Sequence, residues 1–342
     1  MTTAEVGSAG RLTYSHTIGL STMEGRGFYY PVDTLVGRDG KLYTISRSLE
    51  GDTRGVRVTI YDIDSEYYGT FASFGEEPGH FIWPVAITQD SQENIYISDE
   101  DLNVINVFDT EGNLLRHWGE TGSAPGKFDG PAGLALDSED RLYVADQHNH
   151  RIQVFTSGGA FVSSFGSHGE GEGEFELPWG LTVGPDSHLY VADWGNDRVQ
   201  KMTLGGEFVC SFGSSGRGEA ELYRPSAVAV DEAGMVYVAD WGNERIVIFD
   251  ADGGHVQTLR GEATDSKWAE AFLSINVEEA GARSRANMEP EIEFFNDDPH
   301  EVSSHIEKYF WAPTSVKLDS EGRMYVTESN RHRVQIYSRS DD

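Results

Sequence analysis

Five charged or titratable side chains stand where an internally repetitive sequence departs from its own pattern. They are Asp33, Arg47, Glu100, Asp101 and His148. A carboxylate pair beside an arginine and a histidine can transfer protons in a lyase or hydrolase reaction, and it can also hold Ca²⁺. We therefore predict that these five residues are catalytic, with a solvated polar rim as the alternative interpretation.

The departures are clearest in the first two copies of the repeat. Asp33 lies two residues after Pro31, at a position where the other copies have small residues. These are Ala86, Gly133, Gly180, Ala227 and Ser315. A carboxylate among small residues is costly unless it is paired or liganded. Arg47 follows a serine where other copies have aspartate, and Glu100 and Asp101 replace the usual loop residues of the second copy.

Six aromatic residues fall beside the same loops. They are Tyr30, Trp83, Trp179, Trp194, Trp241 and Trp311. Aromatic side chains around a concave site suit an organic ligand or a protein partner. We predict that these six bind substrate, with packing between repeats as the alternative.

A divalent metal, either Ca²⁺ or Zn²⁺, is left open as a cofactor. The histidines considered as ligands are His148, His150, His80, His300, His305 and His332. Their spacing matches no usual zinc-binding pattern, so the sequence assigns no metal ligands.

The elements that position these residues come from a repeat of 47 residues. Prolines recur at 84, 131, 178 and 225, and looser copies begin at Pro31 and Pro313. Each copy contains four short apolar runs separated by Gly, Asp and Asn, which is typical of strands. Four strands per unit at this period predict the blades of a β-propeller.

The two ends of the chain predict how the ring closes. The last copy stops after RVQIYSRSDD and lacks a fourth strand, whereas LTYSHTIG (Leu12 to Gly19) matches the fourth strand AFVSSFG. An N-terminal strand that completes the last blade would hide an exposed sheet edge. We therefore predict an all-β, six-bladed propeller that forms one domain over residues 1–342.

Three motifs resemble the NHL repeat: Pro-x-Gly-hydrophobic, Tyr-Val-Ala-Asp-x-x-Asn-x-Arg and Ser-Phe-Gly. The resemblance covers nearly the whole chain from Leu12, apart from one insertion. It implies a six-bladed propeller, but it leaves the function open. NHL propellers include RNA-binding and protein-binding modules. Similar propellers include peptide amidating lyases, gluconolactonase-like metal hydrolases and strictosidine synthase.

A carboxylate ends the second strand of most copies. It recurs as Asp99, Asp146, Asp193, Asp240 and Glu328. Because it recurs so often, we predict a structural role, in which it binds loop backbone and the arginine that follows. Those arginines are Arg151, Arg198, Arg245 and Arg333.

Residues 262–308 interrupt the repeat between blades five and six. Helical composition predicts one helix from Ser266 to about Ala280 and a second from Pro299 to Tyr309. The aromatic residues Phe294, Phe295, Phe310 and Trp311 favour packing onto the propeller. The link emerges on the face that carries the aromatic residues, so the insertion is predicted to be a mostly helical lid.

Composition limits the partners. The net charge is −31, with 57 acidic and 26 basic residues, which argues against nucleic acid and against an anionic membrane surface. Cys210 is the only cysteine, so no intrachain disulfide can form. The start of the sequence has no basic segment followed by an apolar run, and no stretch approaches the ~20 apolar residues of a membrane span. These observations predict a soluble, cytoplasmic protein.

Together these patterns predict a small-molecule pocket at one end of the channel, beneath the insertion. The predicted reaction is of the lyase or hydrolase type, with acid–base or metal-assisted chemistry. The alternative is a non-catalytic NHL module that binds a protein or peptide, and a carbohydrate-binding module is a third.

Overall fold

The computed structural model describes residues 11–48, 53–291 and 298–339, which form six four-stranded antiparallel sheets. The first strand is β1 (Leu12–Gly19). Blade one contains β2 (Pro31–Val36), β3 (Lys41–Ser46), β4 (Arg57–Asp62) and β5 (Tyr67–Phe71). Blade two contains β6 (Pro84–Gln89), β7 (Ile95–Asp99), β8 (Val104–Phe108) and β9 (Leu114–Trp118). Blade three contains β10 (Pro131–Leu136), β11 (Leu142–Asp146), β12 (Arg151–Phe155) and β13 (Phe161–Phe165).

The remaining blades repeat this pattern. Blade four contains β14 (Pro178–Val183), β15 (His188–Asp193), β16 (Arg198–Thr203) and β17 (Phe208–Phe212). Blade five contains β18 (Pro225–Val230), β19 (Val236–Asp240), β20 (Arg245–Phe249) and β21 (His255–Leu259). Blade six contains β22 (Pro313–Leu318), β23 (Met324–Glu328) and β24 (Arg333–Arg339), and β1 pairs with β24 as its fourth strand. The predicted six-bladed propeller, closed by the N-terminal strand, is confirmed.

The first turn of every blade is held by a tyrosine–aspartate hydrogen bond. The pairs are Tyr43 and Asp39, Tyr96 and Asp90, Tyr143 and Asp137, Tyr190 and Asp186, Tyr237 and Asp231, and Tyr325 and Asp319, at 2.8–3.3 Å. Each tyrosine is buried between neighbouring blades. Its hydroxyl can lie in that core because it donates a hydrogen bond to the turn carboxylate.

The carboxylate at the end of the second strand has the predicted structural role. Asp146, Asp193 and Asp240 are fully buried, and each accepts a hydrogen bond from the Nε of the following arginine at 2.7–2.9 Å. Glu328 accepts one from Arg333 at 2.7 Å. In blade two, where no arginine follows, Asp99 accepts backbone N–H groups instead, which include those of two residues before Pro84.

A second repeated contact joins neighbouring blades. It involves the last residue of the loop between the second and third strands, whose backbone is left-handed. The side chain of this residue accepts a hydrogen bond from the backbone N–H of the residue just before the first proline of the next blade. Among the described residues, the pairs are Asn103 and Gly130, His150 and Leu177, Asp197 and Arg224, Glu244 and Ala312, and His332 and Tyr30. In blade one the apolar Val56 occupies this position, and the N–H of Trp83 goes to Asp99.

His332 makes the contact between blades six and one dependent on pH. Its Nδ1 accepts the Tyr30 N–H at 2.9 Å, and burial lowers the pKa of the imidazole to about 4. A folded-state pKa below the usual 6.5 stabilises the native state above pH ~6.5. This stability is lost as the pH falls toward 4, by roughly 3 kcal/mol.

His332→Asn should remove this pH dependence and keep the contact. Asn103 makes the equivalent hydrogen bond in blade two through its Oδ1 atom. Oδ1 of asparagine and Nδ1 of histidine are both bonded to Cγ, so the acceptor atom stays at nearly the same place. Many carboxylates titrate in the same pH range. The change in unfolding free energy from pH 7 to pH 4 is therefore measured for both proteins, and the two changes are compared. We expect the wild type to lose more stability than the variant. Parallel curves would contradict the proposed role of His332.

The described residues of the insertion form three short helices: α1 (Lys267–Ile275), α2 (Val277–Arg285) and α3 (Pro299–His305). The single helix predicted from Ser266 is broken at Asn276, whose backbone leaves the helical region at φ −107° and ψ 73°. Ser266 caps α1 by accepting the N–H of Ala269, and Asp298 caps α3. The predicted contacts of Phe294 and Phe295 lie outside the described residues. No helix in the described part of the chain is long and apolar enough to cross a membrane.

Candidate ligand pocket

Five of the six predicted aromatic residues line one cavity of about 400 Å³. They are Tyr30, Trp83, Trp179, Trp194 and Trp241, and we call this cavity the aromatic pocket. It lies at one end of the central channel, where the innermost strands begin. Val32, Val85 and Ser226 are shared with a narrower cavity of about 30 Å³ deeper in the channel.

One repeat position supplies four of the residues that line the pocket: Arg47, Trp194, Trp241 and Ser329. The residue directly after the second strand is Arg47, Glu100, Gln147, Trp194, Trp241 or Ser329 in blades one to six. Blades one to three therefore place polar groups at this position, whereas blades four and five place tryptophans. Of these three polar residues in blades one to three, only Arg47 lines the pocket, whereas both tryptophans do.

The aromatic side is formed by side chains in mutual contact. The ring centroids of Trp179 and Trp194 lie 6.5 Å apart with their planes inclined by 33°. The Arg224 guanidinium lies 4.6 Å from the Trp194 ring centroid, a cation–π contact that fixes the orientation of this ring. Trp194 and Trp241 each begin a short 3₁₀ turn after their blade's second strand.

Trp311 is not among the residues that line the aromatic pocket. It precedes its proline by two residues, so Ala312 occupies the place that Trp83 fills in blade two. The Trp311 indole N–H lies 3.3 Å from Nε2 of His300 in α3, and the Arg331 guanidinium lies 5.1 Å from its ring. The spacing of two residues rather than one is the sequence signal that separates Trp311 from Tyr30 and Trp83.

Arg47 and Glu100 meet at the polar side. The Arg47 Nε donates to the carbonyl of Pro84 at 2.8 Å, and its guanidinium lies 4.8 Å from the Trp83 ring. Its Nη2 is 3.9 Å from Glu100 Oε1, and this buried nitrogen has no hydrogen-bond partner among the described residues. Burial lowers the pKa of Arg47, and this residue also lines the aromatic pocket.

Glu100 lies behind Arg47 and does not line the aromatic pocket. Its Oε2 accepts a hydrogen bond from Gln147 at 2.8 Å. Burial raises the pKa of Glu100, while the charges of Arg47 and His148 oppose that shift. His148 is an exposed neighbour of this pair. The structure thus brings together three of the five predicted catalytic residues.

Asp33 is separate from this group, deeper in the channel. Its Oδ1 accepts from the Thr34 N–H at 2.9 Å and from the Ser315 hydroxyl at 2.5 Å. Its Oδ2 accepts from the Ile87 N–H at 3.0 Å and lies 3.2 Å from the Lys317 ammonium. Asp33 therefore links blades one, two and six, and these contacts account for its buried charge without a ligand.

Asp101 also lies apart from the pocket. Its side chain is exposed, and its backbone N–H donates to the buried Asp99 at 3.1 Å. Neither Asp101 nor Asp33 is among the residues that line the aromatic pocket.

The described helices of the insertion also lie away from the aromatic pocket. None of the described residues between 262 and 308 lines it. Trp268 of α1 packs between Phe28 and Tyr61, near the outer strands of blades six and one. The helix α3 lies on the rim, where His300 Nδ1 is 2.6 Å from Glu244. The described residues of α1, α2 and α3 therefore do not cover the aromatic pocket in the way that the predicted lid would.

Glu244 was not singled out from the sequence. It is almost completely buried, and burial raises its pKa to about 7, against the hydrogen bond from His300. Because Glu244 also accepts the Ala312 N–H, its contact with His300 anchors α3 to the link between blades five and six. Glu244 and Asp197 occupy the same repeat position, with left-handed backbone. This equivalence is the sequence signal that could have identified Glu244 as a contact between blades.

One group of three side chains in the described part of the chain could hold a metal ion: His150, His168 and Glu176. The sequence reasoning considered His150 but missed His168. The three come together only because two successive loops meet at the link between blades three and four.

Fold and pocket together define a six-bladed β-propeller with a ligand-sized cavity at one end of its channel. This propeller carries NHL repeats. The model of the NHL repeat matches residues 128–155, 175–202, 222–249 and 310–337, which fall in the last four blades.

Solved structures resemble the whole propeller at low sequence identity. A catalytically inactive virginiamycin B lyase from Staphylococcus aureus, crystallised with quinupristin, matches with a TM-score of 0.56 and 13% identity over 93% of this chain and 82% of that chain. A streptogramin B lyase gives 0.57 and 11% over 98% and 100%. A protein of unknown function from Bacteroides thetaiotaomicron gives 0.61 and 19% over 96% and 76%. These likenesses concern the fold, and no curated protein matches the sequence.

Proposed function

We propose that this propeller binds a small organic molecule in the aromatic pocket and acts on it by acid–base chemistry of the lyase or hydrolase type. The convergence of Tyr30 and four tryptophans on one cavity carries this proposal. Ring closure does not require these residues, because the position of Trp179 is filled by Val32, Val85, Ala132, Ser226 or Thr314 in the other blades.

The two sides of the pocket indicate the class of ligand. The tryptophan side suits a planar or apolar group of about the size of an aromatic ring. Arg47, which lines the pocket, suits a carbonyl or carboxylate oxygen, since a guanidinium forms strong hydrogen bonds with such acceptors. The ligand is therefore an aromatic or cyclic molecule that carries a carbonyl or carboxylate group.

Glu100 is the group that would transfer a proton. Its buried carboxylate has a raised pKa, which brings it toward the range useful for general acid–base catalysis. Arg47 would hold the substrate oxygen. Because Glu100 does not line the pocket, it would reach a proton made acidic by that contact through one bridging water molecule. Gln147 positions Glu100 through its 2.8 Å hydrogen bond.

Binding can be tested through tryptophan fluorescence, since four of the seven tryptophans line the pocket. The probes are aromatic carboxylates, esters, lactones and quinupristin, the ligand named for the Staphylococcus aureus structure. For a compound that binds, Trp194→Ala should lower affinity by about tenfold or more, which corresponds to ~1.4 kcal/mol. Trp118→Phe, on β9 and outside the pocket, is the matched control and should keep the affinity. Equal binding by both variants would place the ligand elsewhere.

Turnover of a bound compound separates an enzyme from a binding module. Glu100→Gln should keep affinity within a few fold and lose most of the rate, because the amide cannot take up the proton. A wild-type protein that binds such compounds but changes none of them would contradict the catalytic half of the proposal.

The second candidate is a module that binds a peptide. It is favoured by the position of the insertion, since none of its described residues lines the aromatic pocket. An uncovered pocket could receive an aromatic side chain of a peptide. Tight binding of peptides without any conversion would support this candidate.

A further inference from the structure

Three metal-ligand side chains meet at the link between blades three and four. His168 Nε2 lies 2.5 Å from Glu176 Oε2, and His150 Nδ1 lies 4.0 Å from the same oxygen. The two imidazole centroids are 4.5 Å apart, and the ligand atoms of all three residues lie within 4.8 Å of one another.

The links between the other blades provide an internal control. The equivalent three positions also meet at those links, but they are occupied by other residue types. The next link has Asp197, Ser215 and Tyr223, and the Ser215 hydroxyl donates to Asp197 at 2.6 Å. The preceding link has Asn103, Thr121 and Asp129, and Asn103 donates to Thr121 at 3.2 Å. The propeller therefore requires contact between these positions but does not require histidine. The His–His–Glu combination is peculiar to the link between blades three and four.

The ligand atoms have suitable electronic states and access. The Leu177 N–H donates to His150 Nδ1 at 3.3 Å, so this nitrogen is unprotonated and carries a lone pair. That bond is long, and a cation could take over the lone pair at little cost. The side chain of His168 is 68% exposed and that of Glu176 is 35% exposed, so an ion and water can reach the group.

We propose that His150, His168 and Glu176 bind one divalent transition-metal ion, and that Zn²⁺ fits this donor set best. Two imidazoles and one carboxylate form a three-ligand zinc set that leaves a coordination position for water. The net charge of −31 raises the local concentration of cations at the surface. The three ligands do not line the aromatic pocket, and they take no part in the reaction proposed there.

A bound ion would stabilise one wall of the aromatic pocket. The N–H of Gly195 donates to the carbonyl of Glu176 at 2.7 Å, so the turn that begins at Trp194 rests on the residue that supplies the carboxylate. An ion held by Glu176 and the two histidines would join this turn to the preceding blade.

The test uses the full chain without a polyhistidine tag, stripped of metal by a chelator. Zn²⁺ is titrated by calorimetry, and Co²⁺ by its visible absorption. We expect one equivalent to bind with a micromolar or tighter dissociation constant and to raise the melting temperature.

The decisive variant is His168→Ser, which places at this position the residue that the next blade has as Ser215 and should therefore fold normally. It and Glu176→Gln should each weaken binding of Zn²⁺ by at least about tenfold. His117→Ser removes an exposed histidine on β9 and should leave binding unchanged. Absence of saturable binding by the wild type, or equal binding by His168→Ser, would overturn the proposal.

Discussion

A chain that begins at Ser21, and so lacks β1, should be largely insoluble or should melt at least roughly 10 °C below the full protein. β1 pairs with β24 from Leu12 to Gly19 and covers the outer edge of blade six. Without it, β24 would present unpaired backbone groups that invite association between chains. The buried side chains of Leu12 and Ile18 would also be lost from the blade interfaces.

The loss should extend beyond blade six, because β1 also contacts the insertion. The Ser266 hydroxyl donates to the carbonyl of Gly19, and the Tyr14 hydroxyl bonds Thr264 at 2.9 Å. A chain that begins at Arg11 keeps β1 whole and is the control. The difference in melting temperature and soluble yield between the two truncations measures the contribution of β1 alone. If the two behave alike, closure by β1 does not stabilise the ring.

The fold could be predicted because each blade is stabilised by the same set of contacts. One period relates the apolar runs, the tyrosine–aspartate turns and the pairs of the Asp146–Arg151 type, so the strands of one copy can be assigned in the others. Closure was predictable for the same reason, since Leu12–Gly19 matches a strand that the last copy lacks. The break at Asn276 was not predicted, because the composition of residues 266–280 is helical on average. Asn276 itself, a residue type that favours helix N-termini and is followed by two glutamates in the first turn of α2, is the local signal of the break.

The pocket was predictable where the repeat fixed the backbone position. Trp194 and Trp241 occupy one repeat position, and both line the cavity. Asp33 was recognised as exceptional, but its partners Ser315 and Lys317 come from the last blade, and a comparison of copies cannot show such pairing. His168 was missed because it joins its partners only through the contact between two loops.

The role of the insertion is open to direct test through Trp268, which should be one of the most sensitive positions in the protein. This side chain is 1% exposed, and its ring centroid lies 5.5 Å from that of Phe28 and 5.6 Å from that of Tyr61. Its indole N–H donates to the carbonyl of Ser65 at 2.6 Å. Trp268 thus attaches α1 to the seam between blades six and one, where the first and last parts of the chain meet.

Trp268→Ala should therefore lower the free energy of unfolding by about 3–5 kcal/mol, as expected for a large buried aromatic residue that leaves a cavity. Ile275→Ala on the same helix is the matched control, because Ile275 is 79% exposed and should change stability by less than ~0.5 kcal/mol. Thermal and denaturant melts measure both. Below the melting transition, Trp268→Ala should bind aromatic-pocket ligands with wild-type affinity, since α1 contributes no residue to that pocket. Loss of affinity in a variant that is still folded would show that α1 acts on the pocket as a lid does. Unchanged affinity together with lowered stability would establish α1 as a clamp on the closed ring.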